Sequence, residues 1–177
     1  MKRLIASIAL LLIITSYLLS CEKDDLCAEG TPTTPGLVVE FYQYDNTPVL
    51  SPVTNLSYQV VGSEKVIDSI SGSKFVFPLK ADAESVKYSI TYNFTNTGGT
   101  VTTNTDIFEV KYSRTETFVS RACGYKTTFT LLPSTPENPN FVVTPGTDRN
   151  GQPWIRRVEE ITNNIDNEDE VHIKFYL

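Results

Sequence analysis

The sequence predicts an all-β protein, an antiparallel β-sandwich of about nine or ten short strands. Three observations carry this expectation. Ser85–Thr95 alternates strictly: Val86, Tyr88, Ile90, Tyr92 and Phe94 fall on one face, and Lys87, Ser89, Thr91, Asn93 and Thr95 on the other, as in a half-buried antiparallel strand. Turn signals rich in Gly, Pro, Asn and Asp recur about every 8–15 residues. No stretch beyond the N-terminal region holds a convincing long helical pattern. An immunoglobulin-like topology is expected by class alone, and class says nothing about function.

The first twenty-five residues set the address. Lys2 and Arg3 precede an apolar run from Leu4 to Leu19, about sixteen residues, softened only by Ser7, Thr15 and Ser16. That is short of the roughly 20 residues a membrane-crossing helix needs, and a basic start before a short apolar run marks a removed signal. Leu18-Leu19-Ser20-Cys21 resembles a bacterial lipobox. Residues 1–20 are then a lipoprotein signal peptide, and Cys21 becomes the acylated N-terminus. Several acyl chains hold a membrane stably where one holds it marginally. Lys23-Asp24-Asp25 resembles the export signal that sends Bacteroidota lipoproteins to the outer face of the outer membrane. Surface display is the expectation, with a periplasm-facing position as the alternative.

Residues 22–36 are polar, with Thr31-Pro-Thr-Thr-Pro35. Each proline holds its preceding residue extended, so residues 21–36 are expected to form a lipidated tether and 37–177 a single domain. The domain's strands follow in order. Leu37–Gln43 is rich in β-branched and aromatic residues and is stopped by Asp45-Asn-Thr-Pro48. Leu56–Val61, Lys65–Asp68 and Lys74–Leu79 come next, with Pro78 suited to an edge or an end. After Ser85–Thr95, Asn96-Thr-Gly-Gly99 makes a hairpin turn. Thr105–Ser113 alternates again. Thr117–Ala122 and Tyr125–Leu132 flank Cys123-Gly124, where the glycine suits a bulge. Phe141–Val143 is short. Trp154–Thr162 carries a weak helical stripe but suits a strand in this setting. Glu170–Leu177 closes the chain, paired with the preceding strand across 163–169.

Composition narrows the function classes. Without residues 1–20 the 177-residue chain becomes 157, enough for one domain with its own core. Its 15 basic side chains fall to 13 against 21 acidic, a net charge of −8. Such a surface repels nucleic acid, so no nucleic-acid partner is expected. With Cys21 acylated, Cys27 and Cys123 remain as an even pair in an oxidising compartment, and a disulfide is the natural outcome. It would close a loop of about 100 residues, on the order of 4–5 kcal/mol in the chain-entropy account. The alternative, free or metal-binding thiols, lacks a nearby His or further Cys.

The run Cys21-Glu-Lys-Asp-Asp-Leu-Cys-Ala-Glu-Gly-Thr-Pro-Thr-Thr-Pro35, with Arg121-Ala-Cys-Gly-Tyr125 downstream, resembles a Bacteroidota outer-membrane lipoprotein family of unknown function. The resemblance implies an envelope location and supplies no activity.

Catalytic patterns are not met. His172 is the only histidine, and its place in the last strand predicts an outward, surface position. There is no Gly-x-Ser-x-Gly elbow, no phosphate-binding Gly-rich loop and no His-Glu-x-x-His. Asp166-Asn-Glu-Asp-Glu170 lacks the glycine-bearing calcium register, and Asp148 with Asn150 is weaker still. No enzyme activity, cofactor or metal is expected. Asp68-Ser69-Ile70 resembles a Bacteroidota O-glycosylation site, and a plain loop serine fits it as well. Trp154, beside a turn, and Tyr44, at a strand end, are the aromatics placed to meet a ligand. The expected role is a lipid-anchored interaction module of the cell envelope, its partners the membrane and another envelope protein. The alternative is a module binding carbohydrate or another surface ligand.

Overall fold

Eleven strands, rather than nine or ten, form among the residues described by the computed structural model, which are 26–31, 33–95, 98–146 and 152–177. The signal at 1–20, Cys21, the Lys23-Asp24-Asp25 run, and Asn96, Thr97, Asp148 and Asn150 lie outside them. The strands are β1 Leu37–Tyr42, β2 Val53–Val60, β3 Val66–Gly72, β4 Lys74–Phe77, β5 Ser85–Thr95, β6 Val101–Ser120, β7 Gly124–Leu131, β8 Phe141–Pro145, β9 Arg157–Glu160, β10 Asn164–Ile165 and β11 Ile173–Tyr176. The chain forms two compact units. Among the described residues, those from 33–117 with 126–177 make the larger one, and 26–31 with 118–125 the smaller.

The larger unit is a β-sandwich. One sheet has four strands in the order β4-β1-β11-β9, and the other runs β10-β7-β6-β5-β2-β3, with β8 also pairing β6. β5 and β6 pair antiparallel over eleven positions, from Ser85↔Lys111 to Thr95↔Val101. β9 and β11 pair antiparallel. β1 and β11 are parallel, with Val39↔Ile173 and Phe41↔Phe175 in register, so the domain's first and last strands lie side by side.

The alternating residues build the core between the sheets. From the four-stranded sheet come Leu37, Val39, Phe41, Phe75, Phe77, Ile173 and Phe175; from the other, Leu56, Tyr58, Val86, Tyr88, Ile90, Phe108, Val110 and Tyr112. Rings cross the interface edge to face. Phe108 meets Phe175 at 4.8 Å between centroids, and Phe77 meets Tyr88 at 5.2 Å. Each such pair adds about 0.5–1.5 kcal/mol beyond its burial. The buried Tyr88 hydroxyl donates to the Pro78 carbonyl at 2.6 Å. Burial raises the Tyr88 phenol well above its ordinary pKa, which keeps it a donor.

β6 differs from its expected form. The sequence divides it at Arg114-Thr-Glu116, but one strand runs from Val101 to Ser120. Its neighbour changes along its length, with β8 opposite Asp106–Val110 and β7 beside it in the sheet. A ladder with two successive partners tolerates a polar stretch that faces water. The edges are blunted as exposed edges need to be. β10 has two residues and β4 four. The β2–β3 pair is broken by register shifts, where Asn55 and Ser69 take φ of 55° and 56°.

Candidate functional site

The outward face of the four-stranded sheet carries a lattice of aromatic and charged side chains. Strand alternation dictates it. Val39 and Phe41 point into the core, so Glu40 and Tyr42 point out; Ile173 and Phe175 point in, so Lys174 and Tyr176 point out. In-register pairing sets Tyr42 beside Tyr176, with ring centroids 5.8 Å apart. Arg157, opposite Tyr176 on β9, lays its guanidinium 3.6 Å from that ring's centroid. The Lys174 ammonium lies 4.8 Å from the Tyr42 ring. Contacts of this kind are worth about 0.5–1 kcal/mol where water reaches them; Tyr176, its ring between Tyr42 and Arg157, is 5% exposed.

Two carboxylates orient the phenols. The Tyr42 hydroxyl donates to Glu40 at 2.9 Å, and that hydrogen bond, with burial second, raises its pKa. The Tyr176 hydroxyl donates to Glu159, and here burial leads, with the bond second. Both phenols therefore stay protonated at neutral pH. Rings, cations and acids hold one another in place. The arrangement is suited to recognition, because Tyr and Arg on a preformed face are the residue types that dominate binding interfaces.

Tyr44 continues this face. It is 45% exposed, its backbone N–H donates to the Leu177 carbonyl, and Arg156 lies 5.2 Å from its ring. Asp45 pairs with Arg156 at 3.7 Å. Tyr44, Gln152, Pro153 and Arg156 wall an open cleft of about 410 Å³. Trp154 is not part of it. The sequence places it near a turn and open to a ligand, but the structure buries it to 3% exposure. Its ring packs on Tyr92 at 5.5 Å and edge-on to Phe41 at 6.3 Å. The following residue explains why: the Ile155 N–H donates to the buried Asp106 carboxylate at 2.9 Å, which fixes the turn against the core. Asp106 and the buried Asn104 occupy core-facing positions of β6, where alternation alone predicts apolar residues.

His172 also departs from its expected surface position. It points away from the sandwich core, yet it is 0% exposed. Its ring Nδ1 accepts the Val38 N–H at 2.8 Å, and its backbone N–H donates to the Val38 carbonyl at 3.0 Å. Burial pushes its pKa down, against the upward pull of Glu170, Asp166 and Glu168. The neutral ring thereby acts as an extra rung between β1 and β11.

The acidic run at 166–170 is an ordered turn. Asn167 Oδ1 accepts the Asp169 N–H at 2.9 Å, Asn164 donates to the Asp166 carboxylate at 2.7 Å, and Glu168 accepts the Gly36 N–H at 2.7 Å. Among the described residues no group of three or more His, Cys, Asp or Glu side chains is placed to hold a metal. Ser69 is exposed, and the neighbouring Asp68 carboxylate accepts the Ser57 hydroxyl, which lowers its pKa.

Residues 55–177, most of the chain, match one family description, a family of unknown function. The chain belongs to the DUF6452 family. The DUF6452 match spans β2 through β11 apart from the first residues of β2, so it takes in β9 and β11 of the lattice face and leaves β1 outside. No curated protein matches the chain, and no solved structure matches it.

The smaller unit carries the cysteines. Cys27 and Cys123 form a disulfide with S–S 2.05 Å and Cα atoms 4.8 Å apart. Cys123 sits in the three-residue connection from β6 to β7, and Gly124 follows at φ 71°, the left-handed glycine such hairpins use. Beside it Phe118 and Tyr125 meet edge-on at 5.5 Å.

Proposed function

We propose that this chain is a lipid-anchored, non-enzymatic envelope protein of the Bacteroidota outer membrane that binds another envelope protein through the Tyr42–Tyr176 face. The tether and location rest on the basic start, the short apolar run and Cys21, followed by Lys23-Asp24-Asp25. The single observation that supports the binding role is the lattice itself. Two phenols, Lys174 and Arg157 are held by mutual ring and carboxylate contacts on the side of the four-stranded sheet turned away from the core cluster. Side chains already fixed lose little freedom on binding.

The test is crosslinking in intact membranes with a photoreactive residue in place of Lys174, alongside Tyr42→Ala and Arg157→Ala. A discrete crosslinked protein, lost in both variants, is the expected result. A ladder of unspecific products that the variants leave unchanged would remove the reading.

The cleft at Tyr44 favours a second reading, a carbohydrate or other surface-ligand module. Tyr44 offers an exposed ring, and Gln152 and Arg156 line the same cleft. Binding on a glycan array that Tyr44→Ala abolishes, with Tyr42→Ala silent, would favour it over the protein-binding reading.

A further inference from the structure

The smaller unit turns its apolar residues outward. Leu26 is 84% exposed, Tyr125 68% and Phe118 55%, and Val119 is exposed beside them. Arg121, at the hairpin connection, is exposed too. Aromatics, aliphatic side chains and a cation together make the mixture that settles in the headgroup layer of a membrane, with ring bodies in the apolar boundary and the charge among phosphates.

Chain length says which surface this patch meets. Cys27 lies six positions after Cys21. Fully extended, that stretch spans about 20 Å, and the disulfide adds only the 4.8 Å between the Cα atoms of Cys27 and Cys123. In sequence the hairpin connection lies 102 residues beyond Cys21. The covalent bond reduces that separation to a short leash. Once Cys21 carries acyl chains, the hairpin connection at Cys123 is confined within about 25 Å of the lipid that holds it.

We infer that the disulfide-closed hairpin, through Leu26, Phe118, Val119, Arg121 and Tyr125, is a second membrane contact that seats in the headgroup layer of the leaflet anchored by Cys21. This rests on the lipid-anchor reading above. Its consequence is orientation more than affinity. Multiple acyl chains already hold the membrane, but they leave a chain free to swivel, and a second contact fixes how this unit meets the surface.

The test uses the full-length acylated protein in vesicles of phosphatidylethanolamine and phosphatidylglycerol, with and without bromine on the acyl chains. Tyr125→Trp and, separately, Leu26→Trp supply a reporter at exposed positions, and the wild-type signal from Trp154 is subtracted. The expected result is about a twofold loss of the added fluorescence in brominated vesicles, as for a ring at the interface. Protein that floats with the vesicles but shows no quenching at either position overturns the inference and leaves the anchor standing. Protein that fails to float removes the anchor reading, and the inference falls with it. A reporter shielded from aqueous iodide in native membranes yet unquenched by brominated lipid means that a protein covers the patch, and that also overturns it.

Discussion

The sandwich and the disulfide-closed hairpin use the same kinds of side chain in opposite ways. In the sandwich Phe41, Phe77, Phe108 and Phe175 interlock between two sheets and are sealed from water. In the hairpin Phe118 and Tyr125 touch each other and remain open. The sandwich is held by burial, at roughly 25 cal/mol for each Å² of apolar surface removed from water. The hairpin unit has one covalent bond and few buried groups. Apolar residues packed inward make a fold, while the same residues kept outward by a cross-link are available to a surface.

That contrast can be broken from either side. The largest effect is expected from Cys27→Ala with Cys123→Ala. The bond spans a sequence separation of 96 residues, and releasing so long a loop costs about 4–5 kcal/mol through the unfolded chain. The urea midpoint should fall accordingly, while native-state hydrogen exchange within β5 and β6 keeps its pattern. A changed pattern would mean that the bond shapes the sandwich itself. Phe175→Ala should cost about 3–5 kcal/mol, because it opens a cavity against Phe41 and Phe108. Denaturant unfolding measures it.

His172→Leu should cost about 1–3 kcal/mol by leaving the buried Val38 N–H without its acceptor. It should also alter the pH dependence. The folded His172 pKa lies below its ordinary 6.5, so the folded state binds fewer protons than the unfolded. The stability this confers is complete above 6.5 and is lost as the pH falls from there through the lower folded value. Urea unfolding at about pH 7.5 and pH 5 should show a slope that flattens in the variant. Phe118→Ser should be the mildest change, within about 0.5 kcal/mol in thermal unfolding, since an exposed ring gives the fold little. A larger loss would make the hairpin a structural element and erase the contrast.

Much of the sandwich was legible because burial on one face writes a period of two into a strand. Ser85–Thr95 and Thr105–Ser113 declare themselves this way, and the cysteine count left Cys27 and Cys123 as partners. The misses share one cause. Local context puts Trp154 beside a turn and His172 on an outward register, yet each meets residues distant in the chain, Tyr92 and Phe41 for the one and Val38 for the other. Asp106, 49 positions before Ile155, decides where the tryptophan goes. The spacer gave a similar lesson: Thr34 accepts the Thr127 N–H and Gly36 binds Glu168, so its last residues belong to the sandwich. A Cβ at Gly36 would lie 2.5 Å from Val76.

By itself the sequence determined the strand-built class, the inward Val86, Tyr88 and Ile90 of β5 and Phe108, Val110 and Tyr112 of β6, and the acidic balance of the chain, because composition and alternation are local properties. Tertiary structure alone decided that β1 lies parallel to β11, and with it that Tyr42 stands beside Tyr176 under two cations. Those residues are 134 positions apart, and no local pattern records which strand a given edge will choose. That choice follows from how two sheets close over one core.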